Sequence, residues 1–295
     1  MLRSKVLCLA VAFALFSTAS LYAQTATDSS NQKAVAEQQI ELRKAKYLAG
    51  LQKVSSEKEL RYADSLTEAK GFSEADIICF AQDFRKVHRY EFKNLIEFSN
   101  YKLTADSYVD SNNIVRAKVA RPSTKEEEEK GLSELRKQLS ESPKIVESDK
   151  IAEAQVGKPA PLFTVADVDG VKYDLKELRG KVVVLNFWFI GCGPCRREMP
   201  ELNKLVEKYK SKDVVFLAFE VNDNPPAKVK MITMNSFNYT QIPSKRNDVE
   251  SKYKVQTYPT SYVIDQSGII RFGMTAYNPF KLPELDKTIE KLLSH

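Results

Sequence analysis

Histidine and tryptophan are almost missing from this 295-residue sequence, which holds two histidines and one tryptophan. His88 and the terminal His295 are far apart, and a closed zinc site takes four ligands, so the composition argues against a metal centre. Cysteine is scarce too, at four residues: Cys8, Cys79, Cys192 and Cys195. Such a count excludes a disulfide framework of the kind that staples small secreted domains. Beyond the N-terminus there is no long hydrophobic run, hence no further candidate for a membrane span. Charge of one sign is in short supply as well. The formal net charge is +6, with no cluster of basic and aromatic residues, which gives no case for nucleic-acid binding.

What is present begins with a leader-like segment. Arg3 and Lys5 precede an apolar stretch from Val6 to about Leu21, and Ala23 stands before the polar run Gln24-Thr25-Ala26-Thr27-Asp28. The pattern reads as a signal peptide over residues 1–23, and its removal would take the net charge from +6 to +4 with Arg3 and Lys5. The alternative is a retained membrane anchor, for which the run is short of the ~20 residues a spanning helix needs. Cys8 lies inside the apolar run, only a few residues from Met1, so a lipoprotein cysteine is set aside. Export would leave three cysteines. Cys79, in the apolar stretch 75–81, reads as a buried small hydrophobe rather than a third redox thiol.

Residues 24–120 read as a mainly helical region of unassigned role. Helical spacing runs through Ile40, Tyr47, Leu48 and Leu51 and resumes at Leu60 and Leu66, until Gly71-Phe72-Ser73-Glu74 breaks it. Ser73 is placed to cap a second helix carrying Ile77, Phe80, Phe84, Phe92 and Phe98. Alternation between Tyr101 and Val119 is more strand-like, with a turn at residues 110–113. Residues 121–155 are charged, with Glu126 to Glu129 in a row, and read as a solvated helical linker or an acidic helix for a partner.

From Val156 the composition shifts, and residues 156–295 read as a separate α/β domain with a mixed sheet. A hairpin turns at Asp169-Gly170, and strands are expected at 182–188, 214–220, 260–264 and 269–272. Helices are expected at 196–209, 227–237, 248–253 and 282–293. Between the first strand and first helix of that list stands Cys192-Gly193-Pro194-Cys195. Two thiols three positions apart at a helix start can close a disulfide with little backbone movement. The first sits where free N–H groups and the helix dipole favour a thiolate. Pro194 suits a first helical turn, where its missing N–H has no intrahelical partner. A purely structural disulfide is the bland alternative.

Trp188, the cysteine tetrapeptide, Pro200 and Thr257-Tyr258-Pro259-Thr260 ahead of a strand together resemble the thioredoxin superfamily. Within it the chain is most similar to exported TlpA/ResA-type thiol–disulfide oxidoreductases with a redoxin (AhpC/TSA-like) domain. The resemblance covers residues 156–295 and implies a thioredoxin-like fold, a mixed central sheet flanked by helices. It also implies a redox disulfide between Cys192 and Cys195, with Cys192 attacking a client disulfide and Cys195 resolving the mixed disulfide. Glu198, three positions after the second cysteine, would be a buried carboxylate relaying a proton to or from Cys195; the alternative is a surface Glu at a helix N-terminus. Pro259 would be the family's cis-proline. Trp188, Gly193, Pro194, Tyr258 and Pro259 would line the substrate groove. Arg196 and Arg197 either raise the local positive potential or are solvated helix residues.

The expected function is that of a periplasmic protein disulfide reductase. It would need no cofactor, its clients would be exported protein disulfides, and a membrane thiol-electron transporter would supply its electrons. Cytochrome c maturation is one client route known in the family. Membrane contact is expected only through that partner or the signal segment, and no nucleic acid is involved. Two other readings are a peroxiredoxin-like peroxide reductase, for which the residues before Cys192 lack the upstream Pro and Thr, and a binding protein whose N-terminal region recruits a redox client.

Overall fold

The computed structural model describes residues 31–294, so the leader-like segment lies outside the described residues. Among those described, no helix is long and apolar enough to cross a membrane. The chain divides into two units. One runs to Ile96 and includes Lys102–Pro122; the other comprises Glu97–Tyr101 and Ser123–His295.

In the first unit, helix α1 (residues 31–47) is followed by β1 (Gln52–Lys53) and α2 (Glu57–Ala69). Then come β2 (Ile78–Phe80), β3 (Lys86–Val87), α3 (Arg89–Glu97), β4 (Leu103–Val109) and β5 (Val115–Pro122). Helix is the larger share of its regular structure, as expected, yet the strands form a five-stranded sheet in the order β1-β4-β5-β2-β3. The single helix expected over Ile77–Phe98 is corrected. Ser73 caps a 3-10 turn at Glu74–Asp76, and the run that follows pairs with β5, Cys79 opposite Lys118. A short apolar run fits a buried strand as well as a helix, and the available β5 edge decides between them. Cys79 is buried and free, in the small-hydrophobe role expected of it.

The second unit opens with α4 (Lys125–Glu141) and α5 (Pro143–Glu153). These are not a solvated linker. Leu135 and Ala152 are buried in its two apolar clusters, and the acidic side chains of the first turn of α4 suit the helix dipole. The Ala152 carbonyl oxygen lies 2.7 Å from where a Cβ on Gly273 would stand, so only glycine permits α5 to come this close. There follow β6 (Thr164–Ala166), β7 (Lys172–Asp174), β8 (Val182–Trp188), α6 (Gly193–Lys208), β9 (Val214–Glu220) and α7 (Pro226–Thr233). The chain closes with β10 (Thr240–Pro243), α8 (Val249–Lys252), β11 (Thr260–Ile264), β12 (Ile270–Thr275) and α9 (Leu282–Leu293).

Five of these strands form a mixed sheet in the order β10-β9-β8-β11-β12, with β8 parallel to β9 and antiparallel to β11. This is the expected thioredoxin-like sheet, with β10 as an edge strand that the sequence pattern did not reveal. Every residue of β8 is buried, and alternation sends its side chains to two faces. Val182, Val184 and Trp188 meet Met199, Leu202 and Leu205 of α6 and Leu285 and Ile289 of α9. Val183, Leu185 and Phe187 meet Val249 and Tyr253 around α8. Each such fully buried side chain is worth about 1.5–3 kcal/mol. The strand that ends at the redox turn is thereby clamped from both sides.

Candidate active site

β8 ends at Trp188, and after three intervening residues the chain enters α6 through Cys192, the helix N-cap. Gly191 makes the turn at φ +93, a conformation that strains any residue with a Cβ. Cys192 and Cys195 are joined in a disulfide with Cα atoms 5.3 Å apart. The Cys195 backbone N–H donates to Cys192 Sγ at 3.2 Å, one of the free donors of the first helical turn. Gly193 and Pro194 complete that turn, Pro194 where its missing N–H does no harm.

A helix-tip position suggests an exposed first thiol and a buried second one. The structure corrects this: Cys192 is 3% exposed and Cys195 1%. One reason is the packing of Cys192 in the apolar cluster with Trp188, Cys195 and Met199. Another is the segment Glu97–Tyr101, part of the same unit, which lies over the turn. Glu97 Oε1 is 3.1 Å from where a Cβ on Gly193 would stand. The two arginines after Cys195 hold this segment. The Arg196 guanidinium stacks 4.5 Å from the Phe98 ring centroid, and Arg197 pairs with Glu97 at 3.7 Å while lying near the rings of Tyr101 and Tyr277. Neither arginine is a merely solvated helix residue.

Trp188 is also corrected. Its ring is 1% exposed and packs edge-on against Phe237, with centroids 6.0 Å apart, so it supports the redox turn from beneath and offers no face to a client. The Tyr258–Pro259 bond is cis and immediately precedes β11. Tyr258 is half-buried and meets Phe189 edge-on at 5.5 Å, which joins the proline loop to the chain entering Cys192. Cys192, Cys195, Tyr258 and Pro259 are thus gathered at one end of β8 and β11.

Glu198 lies one turn beyond Cys195 on the same face of α6. It is 1% exposed, which removes the surface-glutamate alternative. Burial pushes its carboxyl up to about 8, against a hydrogen bond from Asn186 that pulls the other way. That bond runs from Asn186 Nδ2 to Glu198 Oε1 at 2.6 Å, and the same nitrogen donates to Ser261 Oγ at 3.0 Å. Asn186 and Ser261 face each other across the β8–β11 ladder. Glu198 Oε2 has no hydrogen-bond partner, as fits a carboxyl that carries a proton. Asn186 and Ser261 were not foreseen as partners of Glu198. Their only sequence signal is a polar residue inside an otherwise apolar strand.

The AhpC/TSA family model matches residues 156–272. The thiol-disulfide oxidoreductase ResA of Bacillus cereus is 39% identical over 114 residues, which are 39% of this chain and 66% of that protein. The match therefore spans slightly under two thirds of that relative's length. The ResA of Geobacillus kaustophilus is 35% identical over 116 residues, covering 39% of this chain and 67% of the relative. The chain belongs to the ResA-like thiol–disulfide oxidoreductases. Thioredoxin-like protein YneN of Bacillus subtilis matches over a longer stretch, 34% identical over 126 residues, or 42% of this chain and 74% of the relative. In this ResA-like chain the first unit lies outside the matched family model. Among the described residues no group of His, Cys, Asp and Glu is arranged to hold a metal ion.

Proposed function

We propose that this chain reduces disulfides of exported proteins through the Cys192–Cys195 dithiol. The observation that carries the reading is the Cys192–Cys195 disulfide at the N-terminus of α6, with a buried carboxyl one turn behind it. In the reduced protein, Cys192 is the attacking thiolate, favoured by the α6 dipole and by the Cys195 N–H aimed at its sulfur. Attack on a client disulfide forms a mixed disulfide with Cys192 and releases one client sulfur as thiolate. Cys195, passing its proton to Glu198 in the fraction of molecules where that carboxyl is ionised, then attacks Cys192 Sγ. The second client sulfur leaves, the client has gained two electrons, and Cys192–Cys195 is oxidised. In this reading Tyr258 and cis-Pro259 receive the client chain, and Gly193 and Pro194 contact it.

What supports the reducing direction is the pair of residues between the cysteines. Gly-Pro is the pair of the reducing thioredoxins, near −270 mV, whereas the oxidant DsbA stands near −120 mV. A membrane thiol-electron transporter would regenerate the dithiol, with the protein working in the periplasm. The test is reduction of insulin disulfides by dithiothreitol with and without the protein. Catalysed precipitation of the insulin B chain is expected from wild type and none from Cys192→Ser. A wild type no faster than dithiothreitol alone would end the proposal, and consumption of hydrogen peroxide instead would favour peroxide reduction.

A further inference from the structure

Glu220, the last residue of β9, is fully buried and takes no part in the chemistry above. It stands opposite Trp188 in the β8–β9 ladder, one strand away from the redox turn. Its Oε1 accepts the backbone N–H of Ile190 at 3.1 Å and Asn224 Nδ2 at 3.0 Å; its Oε2 accepts the backbone N–H groups of Asn222 and Asn224, both at 3.4 Å. Among the described residues, all its recorded side-chain partners are peptide or amide N–H groups, and none is a cation. Burying a carboxylate with no opposing charge costs stability that an apolar residue would not. Such costs persist where function needs the geometry.

We infer that Glu220 is a positioning residue for the redox reaction, holding the loop Phe189–Gly191 and so the height of Cys192 at the tip of α6. Between β8 and Cys192 the Cys192 N–H bonds to the Phe189 carbonyl, the Phe189 ring meets Tyr258, and Phe189 and Ile190 pack on the apolar clusters. Gly191, at positive φ, supplies no side chain, and the Ile190 N–H is held by Glu220. Without its acceptor the Ile190 N–H is unpaired, the loop loosens, and Cys192 Sγ drifts from the Cys195 N–H that favours its thiolate. The inference rests on the proposed dithiol chemistry.

Two neutral variants separate the acceptor from the charge. Glu220→Gln keeps an oxygen for Ile190, while Glu220→Ala keeps none. At pH 7 the reduced Glu220→Ala protein is expected to be alkylated by iodoacetamide at Cys192 about tenfold more slowly than Glu220→Gln, since a small misplacement of a reacting atom costs that much or more. Equal rates in the two folded variants overturn the inference, even if Glu220→Ala melts lower. Should Glu220→Ala not fold, Glu220→Asp repeats the comparison with wild type at constant charge, with slower alkylation expected and a matched rate overturning it. A wild type that does not cycle between dithiol and disulfide refutes the redox reading and this inference with it. A wild type that cycles, beside variants that match, removes the inference alone.

Discussion

Cys195→Ser is expected to stop turnover completely and to accumulate a mixed disulfide between Cys192 and its client. Cys192 N-caps α6 and its sulfur accepts a backbone N–H, whereas Cys195 lies within the helix's first turn. In the proposed mechanism the first attack falls to Cys192, and without Cys195 the mixed disulfide has no intramolecular route out. Insulin reduction should fall to the uncatalysed level. A Cys192-linked adduct should be seen on non-reducing gels and vanish with dithiothreitol. Cys192→Ser should be equally inactive and form no adduct. If Cys192→Ser instead trapped the client, the roles of the two cysteines would be reversed.

The second large effect concerns Glu198, and it shows in stability as well as chemistry. Its carboxyl is raised from 4.5 to about 8 by burial, so the folded state holds a proton that the unfolded chain gives up. A raised carboxyl pKa means that stability is greatest below pH 4.5 and drains away as the pH rises toward 8. At about 1.4 kcal/mol per pH unit, the loss reaches about 3 kcal/mol by pH 7. Glu198→Gln is neutral at every pH and escapes this loss. Its unfolding free energy from urea titration should exceed that of wild type at pH 7 by up to this amount, with the gap closing near pH 4.5. The same variant should lose the inflection near pH 8 in the reactivity of Cys195. An unchanged profile would remove Glu198 from the proton path, and a gap that did not vary with pH would show that it does not titrate as described.

Legibility in the sequence followed how local each feature is. β8, β9, β11 and α9 stand where the pattern places them. The strands are apolar runs of five to seven residues, and α9 has one strongly apolar face. β10 is four residues ending in proline, Thr240-Gln241-Ile242-Pro243, with nothing to mark it as strand until it pairs with β9. The stretch 77–98 has apolar residues at spacings that suit either period, and its strands exist because β5 offers an edge. In the site, the cysteine pair is read from four adjacent residues. Glu198 could be placed because it lies one turn from Cys195, but Asn186 and Ser261 act through a ladder register between residues 75 positions apart. Glu97, about a hundred residues upstream of the turn it covers, leaves no local trace, and Glu220 reads only as the polar end of a strand.

If the Cys192–Cys195 pair works as a reductant, its reduction potential shows it. Equilibrating the protein with glutathione and dithiothreitol buffers and trapping the thiols with an alkylating reagent gives the value. The account predicts a potential near the thioredoxin value of about −270 mV, below the glutathione couple of the buffer. A value near −120 mV, that of the oxidant DsbA, would contradict it and make the protein a donor of disulfides.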